Sequence, residues 1–452
     1  MFRILSATIA LLLASVPAVA QTAAQLQKEL KAKEAAAKKD PEALFEVGKW
    51  AAEKSLAKES KRLLEAVLKI KPDHAGANEA LGNELVEGKW LPAKEAEALR
   101  KKAQAAEYAA KGFVEVGGVW VEKEKVDDAK RGVFHHKGEL VTKDEMIAFL
   151  AGKVRHPVTG EIIDATHEGK AKDGYFPAGA KWVDQKEADT FHSDVKRPWL
   201  LRTQTATILS TLELVKIQDL GTQVDIAIER VSQEFFAKKA ALPAKRPVVT
   251  VAASTNEYRE LGKAFGDGTD ACGAFLIVDD SKISVPFVGD VRGAVCNNEK
   301  DWGPRYVRHA GALAYVNAIA EEAGADLPLW ILHGIGSYTS RFQNDGDASW
   351  FGKQHVAKGG VRNLKTFFSA FAISGDMESK DVDYNIYQAG LLMKFAKEGG
   401  DAAVTEALQA VLDQLTGTSK GNLEKAVGKL QAQLMGAEQK VGAFLQTLIA
   451  KG

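Results

Sequence analysis

Residues 301–342 read DWGPRYVRHAGALAYVNAIAEEAGADLPLWILHGIGSYTSRF and predict two helices joined by a short turn. Asp301 is suited to cap the first helix, and Pro304 fits its first turn, where a missing backbone N–H costs nothing. Gly324 is placed to end that helix, because glycine readily adopts the left-handed conformation found after helix C-termini.

The second half of this stretch has a Leu-Pro-Leu-Trp turn at 327–330, followed by Gly334 and Tyr338. Gly334 and Gly336 lack a Cβ, so another element can approach the backbone of the second helix closely. This frame resembles the active-site helix pair of the gluzincin metallopeptidases, in particular the secreted peptidase MA-like group. In that family the first helix has an H-E-x-x-H motif, and the second has a Glu-Gly pair with a tyrosine shortly after it.

The resemblance implies the fold of these enzymes but not their reaction. His309 matches the first metal-binding histidine, and His333 replaces the third ligand, a glutamate. Ala310 stands where the family has its catalytic glutamate, and a methyl group cannot take a proton from water. Leu313 stands at the second histidine and has no lone pair for a metal. We therefore expect no catalytic residue and no bound metal, with His309 and His333 as vestigial ligands at a degenerate site.

The expected function is that of a pseudopeptidase, which needs no cofactor and binds an unknown protein or peptide or acts as a scaffold. A first alternative is a divergent zinc-dependent peptidase or hydrolase, in which His355, Asp345 or Asp347 supplies a third ligand. Glu321 is too far away to act as its base, about 18 Å from His309 at ~1.5 Å per helical residue. A second alternative is an interaction protein that acts through N-terminal helical repeats.

The composition excludes some partners. The chain has 452 residues, with 60 Lys+Arg and 60 Asp+Glu, so its formal net charge is zero. This balance gives no support for binding to nucleic acid or to an anionic membrane. The length suffices for several domains.

Residues 1–20 predict a signal peptide. Arg3 provides the positive start, 9–16 form a mostly apolar run, and Ala18-Val19-Ala20 is a small-x-small cleavage site. The apolar run is short for a membrane span, so an uncleaved anchor is the less favoured alternative, and no later stretch is apolar enough to span. We expect an exported protein, periplasmic or secreted, that is cleaved near Ala20.

Export makes the two cysteines informative. Cys272 and Cys296 are the only cysteines in the chain, and a disulfide between them is the default expectation in an oxidising compartment. The alternative is two buried free thiols, because both residues have apolar neighbours.

The expected fold class is α+β: a thermolysin-like domain with a small mixed sheet, the helix pair and C-terminal helices, preceded by a helical region. We expect five segments, namely a signal peptide at 1–20, a tetratricopeptide-like region at 21–110, tryptophan-anchored hairpins at 111–195, the degenerate peptidase domain at 196–345 and a helical subdomain at 346–452.

Two repeats support the N-terminal part of this division. Similar segments around Gly48 and Gly82 lie 34 positions apart, the period of a tetratricopeptide repeat, although a plain helical hairpin is the alternative. Gly-x-Trp-Val-like units at 88–91, 118–121 and 180–183, with a copy lacking Trp at 138–141, each predict a turn, a short strand and a helix start. Five histidines of this region are expected in exposed loops: His135, His136, His156, His167 and His192.

Several elements are expected in the peptidase-like domain. Strands are expected at 199–203 and 247–252, with a long helix over 207–240 between them. A hairpin is expected from 273–278 and 283–287, and in the family this hairpin is the sheet edge beside the substrate.

Overall fold

A computed structural model of the chain describes residues 22–236, 243–265, 272–277, 281–299, 302–374, 376–416 and 422–451. The expected signal peptide and the cap at Asp301 lie outside these residues. Contacts divide the chain into two compact units, Met1–Phe113 and Val114–Gly452. Across the described ranges, no helix is both long and apolar enough to cross a membrane. The mixture of helices with a small mixed sheet is compatible with the α+β class.

The first unit is helical and contains one hairpin. Its elements are α1 (Ala23–Ala37), α2 (Pro41–Glu53), α3 (Ala57–Ile70), α4 (Ala75–Ala80), β1 (Asn83–Val86), β2 (Lys89–Pro92) and α5 (Ala93–Ala110). Leu30, Val47 and Leu63 are buried together where α1, α2 and α3 pack. The expected second helical repeat is incomplete, because α4 ends at Ala80. Gly82, at φ +75°, then turns the chain into β1. The helices therefore form a packed helical hairpin with one flanking helix, and the tetratricopeptide assignment stays a prediction.

The second unit begins with small hairpins, each followed by a helix. They comprise β3 (Phe113–Val116), β4 (Val119–Glu122) and α6 (Val126–Lys130); β5 (Val133–His136), β6 (Glu139–Thr142) and α7 (Lys143–Leu150); β7 (Val154–Arg155), β8 (Ile162–Ile163) and α8 (Glu168–Lys172); β9 (Phe176–Ala178), β10 (Lys181–Val183) and α9 (Gln185–His192). The predicted turn, strand and helix start are confirmed at each quoted unit. Trp120 is half-buried, whereas Val119 and Val121 on either side of it are buried, so the valines anchor this hairpin more completely than the tryptophan does.

The expectation of exposed loop histidines is wrong for part of this region. His156 is 1% exposed, and its Nε2 lies 3.0 Å from the backbone oxygen of Tyr175. His136 lies on β5 and stacks on the ring of Phe149. These imidazoles are structural because their rings complete the packing between a hairpin and its neighbouring element.

A five-stranded sheet follows. Its strands are β11 (Trp199–Arg202), β12 (Thr207–Ser210), β13 (Val248–Ala252), β14 (Ala274–Leu276) and β17 (Ala294–Asn297), whereas β15 (Ile283–Val285) and β16 (Gly289–Val291) form a separate hairpin. The order is β11-β12-β13-β17-β14; β12, β13 and β17 are mutually parallel, and both edge strands are antiparallel to their neighbours. The predicted hairpin of 273–278 with 283–287 is therefore wrong, because β14 pairs with β17 and β15 pairs with β16.

Helices cover this sheet and extend beyond it. They are α10 (Leu214–Glu234), α11 (Thr255–Phe265), α12 (Gly303–Glu322), α13 (Leu329–Arg341), α14 (Asp345–Ala357), α15 (Leu364–Ala370), α16 (Ser379–Glu398), α17 (Ala402–Leu415), α18 (Leu423–Gly436) and α19 (Glu438–Lys451). The helix expected over 207–240 is shorter, since its first four residues form β12. Val215 and Ile226 on α10 are exposed. One large core contains the sheet, α10, α12, α13 and the C-terminal helices.

Candidate functional site

The predicted helix pair is present and lies in this core. Pro304 is in the first turn of α12, and Gly324, at φ +66°, follows the end of that helix. Almost every residue of α13 is buried. Trp330 and Leu332 are buried in the same core cluster as the inner face of α12.

Two glycines let other elements approach the backbone of α13, as the sequence predicts. A Cβ on Gly336 would lie 2.6 Å from Cδ2 and 2.7 Å from Nε2 of His309 on α12. A Cβ on Gly334 would lie 2.8 Å from Cγ of Met393 and 3.0 Å from the backbone oxygen of Ala389, both on α16. Helix α13 is therefore held between α12 and α16, with the His309 ring directly against its backbone.

The side chains of His309 and His333 are in direct contact. Nε2 of His309 lies 3.1 Å from Nδ1 of His333, which is hydrogen-bonding distance. Their exposed fractions are 0% and 2%. The two imidazoles are therefore part of the core.

A buried arginine determines how protons are placed on this pair. Nη1 of Arg341 donates to Nδ1 of His309 at 2.7 Å and to Oγ of Ser340 at 3.0 Å, and Nη2 donates to the backbone oxygen of Cys272 at 3.1 Å. A guanidinium has donors and no acceptor, so Nδ1 of His309 must carry a lone pair. The proton of the neutral ring is then on Nε2, from which it is donated to Nδ1 of His333.

Cys272 completes a cluster with the two histidines. Its Sγ donates to the backbone oxygen of Ala274 at 2.8 Å and lies 3.9 Å from Nδ1 of His333. The sulfur and one nitrogen from each ring all lie within 4.8 Å of one another, and all three residues are buried. Sulfur and imidazole nitrogen are zinc ligands, so this donor set has the composition of a metal site.

The sequence interpretation placed neither Cys272 nor Arg341 in this cluster. Arg341 follows His333 by eight positions, about two turns of one helix, so both side chains lie on one face of α13. That spacing was a usable signal. Cys272 joins from a turn just before β14, and no local pattern indicates that contact.

The two cysteines are free thiols in the structure, in place of the expected disulfide. The strand register explains the difference, because Cys296 on β17 is opposite Ala274 on β14 and not opposite Cys272. The Cys272 thiol instead donates a hydrogen bond to the backbone oxygen of Ala274 and lies near His333. Both thiols are fully buried.

Burial keeps the whole cluster neutral around pH 7. It lowers the pKa of His309 well below its ordinary value, with further lowering from the nearby charge of Arg341. Burial, again with Arg341, lowers the pKa of His333 to about 3. It also raises the pKa of the Cys272 thiol to about 11. Arg341 therefore places its positive charge beside three neutral groups.

The remaining candidates from the sequence do not join this cluster. Ala310 and Leu313 are fully buried apolar groups on α12. Asp347 is paired with Arg305, and Glu321 with Arg292. His355 packs against the ring of Tyr384, at 4.8 Å between centroids. Over the described residues, the one group of three or more metal-binding side chains is Cys272, His309 and His333, which includes neither His355 nor Asp345.

Comparison with protein family models, with curated proteins and with solved structures finds no match for this chain.

Proposed function

We propose that this chain is an exported, non-catalytic metallopeptidase-like protein that acts as a binding or scaffold protein. The observation that carries the proposal is the direct hydrogen bond between His309 and His333, both of which are buried. A metal-dependent hydrolase needs a metal-bound water and a base within reach of a substrate. Here the imidazoles of His309 and His333 form a hydrogen bond to each other. Ala310 lies at the position where the resembled family has its catalytic base.

The physical state of the site supports the same proposal. A buried neutral thiol with its pKa raised to about 11 is a poor nucleophile. Tyr338, at the position of the family's tyrosine, donates its hydroxyl to Glu398 at 3.0 Å. These groups hold helices together, and a binding role would then belong to the outer surface of the protein.

The first experiment measures the metal content of the purified chain together with its thermal unfolding, with and without chelator. We expect no stoichiometric zinc, no chelator effect on the melting temperature and no cleavage of peptides. One bound zinc per chain, with a melting temperature that falls on chelation, would overturn the proposal. A His333→Gln control then locates that zinc, since only a metal in this cluster would be lost.

A divergent metal-dependent hydrolase is the second candidate function. One observation favours it, namely the arrangement of Cys272, His309 and His333 as three potential ligands. Three protein ligands with an open position are the usual set for catalytic zinc. The same metal analysis separates the two candidates, because this one requires stoichiometric metal in the natural chain.

A role in protein interaction through the N-terminal unit is also supported by one observation. Among the 18 residues of α5, only Ala96 is buried, so most of this helix is available at the surface of that unit. Leu99 is a large apolar residue exposed on it. If α5 binds a partner, Leu99→Asp in the full chain should abolish that binding while leaving the melting temperature unchanged.

A further inference from the structure

The spacing of the cluster is close to that of a tetrahedral zinc site. Zinc bonds of about 2.0–2.1 Å to nitrogen and 2.3 Å to sulfur place two nitrogens roughly 3.3 Å apart, and nitrogen and sulfur roughly 3.6 Å apart. The observed separations are 3.1 Å between Nε2 of His309 and Nδ1 of His333, and 3.9 Å between Nδ1 of His333 and Sγ of Cys272. Small side-chain movements would thus bring all three atoms to one metal ion.

The proton on His309 opposes such a metal. A metal ion needs the lone pair of Nε2, and the ring can offer it only if its proton moves to Nδ1. That nitrogen already accepts a hydrogen bond from Nη1 of Arg341 at 2.7 Å. Two donors cannot face each other there, so the arginine holds His309 in the tautomer that has no lone pair toward the cluster.

The positive charge of Arg341 also opposes metal binding. The guanidinium is 3% exposed and bonds to neutral acceptors at His309, Ser340 and the backbone of Cys272. A divalent cation entering the cluster would lie close to this buried positive charge, where screening by solvent is weak. The arginine already places one positive charge beside the ligand atoms.

We infer that Arg341 opposes zinc binding at a latent site formed by Cys272, His309 and His333, both by fixing the His309 tautomer and by placing a buried positive charge beside the ligand atoms. This inference deepens the proposed function and rests on it. If the arginine is replaced by a neutral residue that can accept a hydrogen bond, the His309 proton moves to Nδ1 and Nε2 becomes a ligand. Metal binding then releases the Cys272 thiol proton to solvent, so the apparent affinity rises with pH.

The test compares the natural chain with Arg341→Gln and Arg341→Lys, each equilibrated with Zn²⁺ or with Co²⁺ as a spectroscopic probe. Glutamine offers a neutral amide oxygen to Nδ1–H of His309, whereas lysine keeps both a donor and the charge. We expect Arg341→Gln to bind one metal ion tighter than the natural chain by on the order of 100-fold, as expected for a group that orients a ligand. Arg341→Lys should behave like the natural chain.

Two readouts place the metal in this cluster. The Co²⁺ complex of Arg341→Gln should show a thiolate-to-cobalt absorption band, which disappears when Cys272→Ser is added. Chelator should lower the melting temperature of zinc-loaded Arg341→Gln and leave the natural chain unchanged. A folded Arg341→Gln that binds no more metal than the natural chain overturns the inference while leaving the proposed function intact. Stoichiometric zinc in the natural chain overturns both.

A measurement on the natural chain keeps the inference testable if the variants fail to fold. Nitrogen-15 NMR of histidine-labelled protein distinguishes a protonated ring nitrogen from one with a lone pair. We expect His309 to be protonated at Nε2 and unprotonated at Nδ1, with His309→Gln identifying its signals. Protonation at Nδ1 would overturn the tautomer argument directly.

Discussion

Two buried histidines have opposite hydrogen-bonding environments. Nδ1 of His156 accepts from the backbone N–H groups of Val158 and Thr159, and its Nε2 donates to the backbone oxygen of Tyr175. His355 is buried to the same 1% exposure, yet neither of its ring nitrogens has a hydrogen-bond partner in the described parts of the chain. A buried polar group without a hydrogen-bond partner destabilises the folded state. Removing a buried group that does form hydrogen bonds also destabilises it, because its partners are then left unpaired.

This contrast predicts different effects of the same substitution. His156→Leu should lower the free energy of unfolding by about 2–4 kcal/mol, because it leaves several backbone groups unpaired in the interior. His355→Leu should change it by less than ~1 kcal/mol, or raise it, because no hydrogen bond to the protein is lost. Chemical unfolding followed by circular dichroism measures both values. Equal losses in the two variants would show that His355 has a partner in solution.

At the scale of elements, close approach between helices depends on where glycine occurs. In α13, Gly336 leaves no room for a Cβ, because the His309 ring lies against it. In α18, Gly428 is also inside a helix, but a Cβ there would meet nothing within 4 Å. The two positions therefore separate the packing role of a helical glycine from its conformational cost.

Gly336→Ala should destabilise the protein by about 1–3 kcal/mol, because the added methyl must displace the His309 ring and its bond to Arg341. Gly428→Ala should instead stabilise it by ~0.5–1 kcal/mol, since alanine is the better helix former. Thermal melts of the two variants show whether each substitution lowers or raises the melting temperature. A neutral Gly336→Ala would contradict the packing of α12 on α13.

At the scale of the whole molecule, several histidines are held neutral by burial. Burial lowers the pKa of His333 to about 3 and that of His355 to about 4, and the pKa values of His309 and His156 are also lowered. In the unfolded chain a histidine titrates near pH 6.5. Below that pH the unfolded state binds protons that the folded state does not, so acid favours unfolding.

The free energy of unfolding should therefore change little between about pH 7 and about pH 8, and it should fall as the pH drops from about 6.5 to 5. Each fully buried histidine contributes a slope of up to ~1.4 kcal/mol per pH unit in that window, in which carboxylates titrate little. Chemical unfolding at closely spaced pH values measures this slope. His355→Leu should reduce it by roughly that amount, and an unchanged slope would mean that His355 is protonated in the folded state.

Elements with local signals could be predicted from the amino-acid sequence. Glycines, prolines and apolar spacing place the helix pair α12 and α13, and the turn before each tryptophan places the hairpins, because turn and helix ends depend on a few adjacent residues. The strands at 199–202 and 248–252 follow for the same reason, as apolar runs between turn residues.

Contacts between distant residues could not be predicted in this way, because they depend on the folded core. Strand β14 pairs with β17 and not with β15, and that register separates Cys272 from Cys296 and places it beside His333. Arg341 on α13 contacts both His309 on α12 and the backbone of Cys272. No spacing along the chain relates these three segments. Pairing of strands and burial of polar groups depend on the total packing and hydrogen bonding of the folded core, which no local stretch contains.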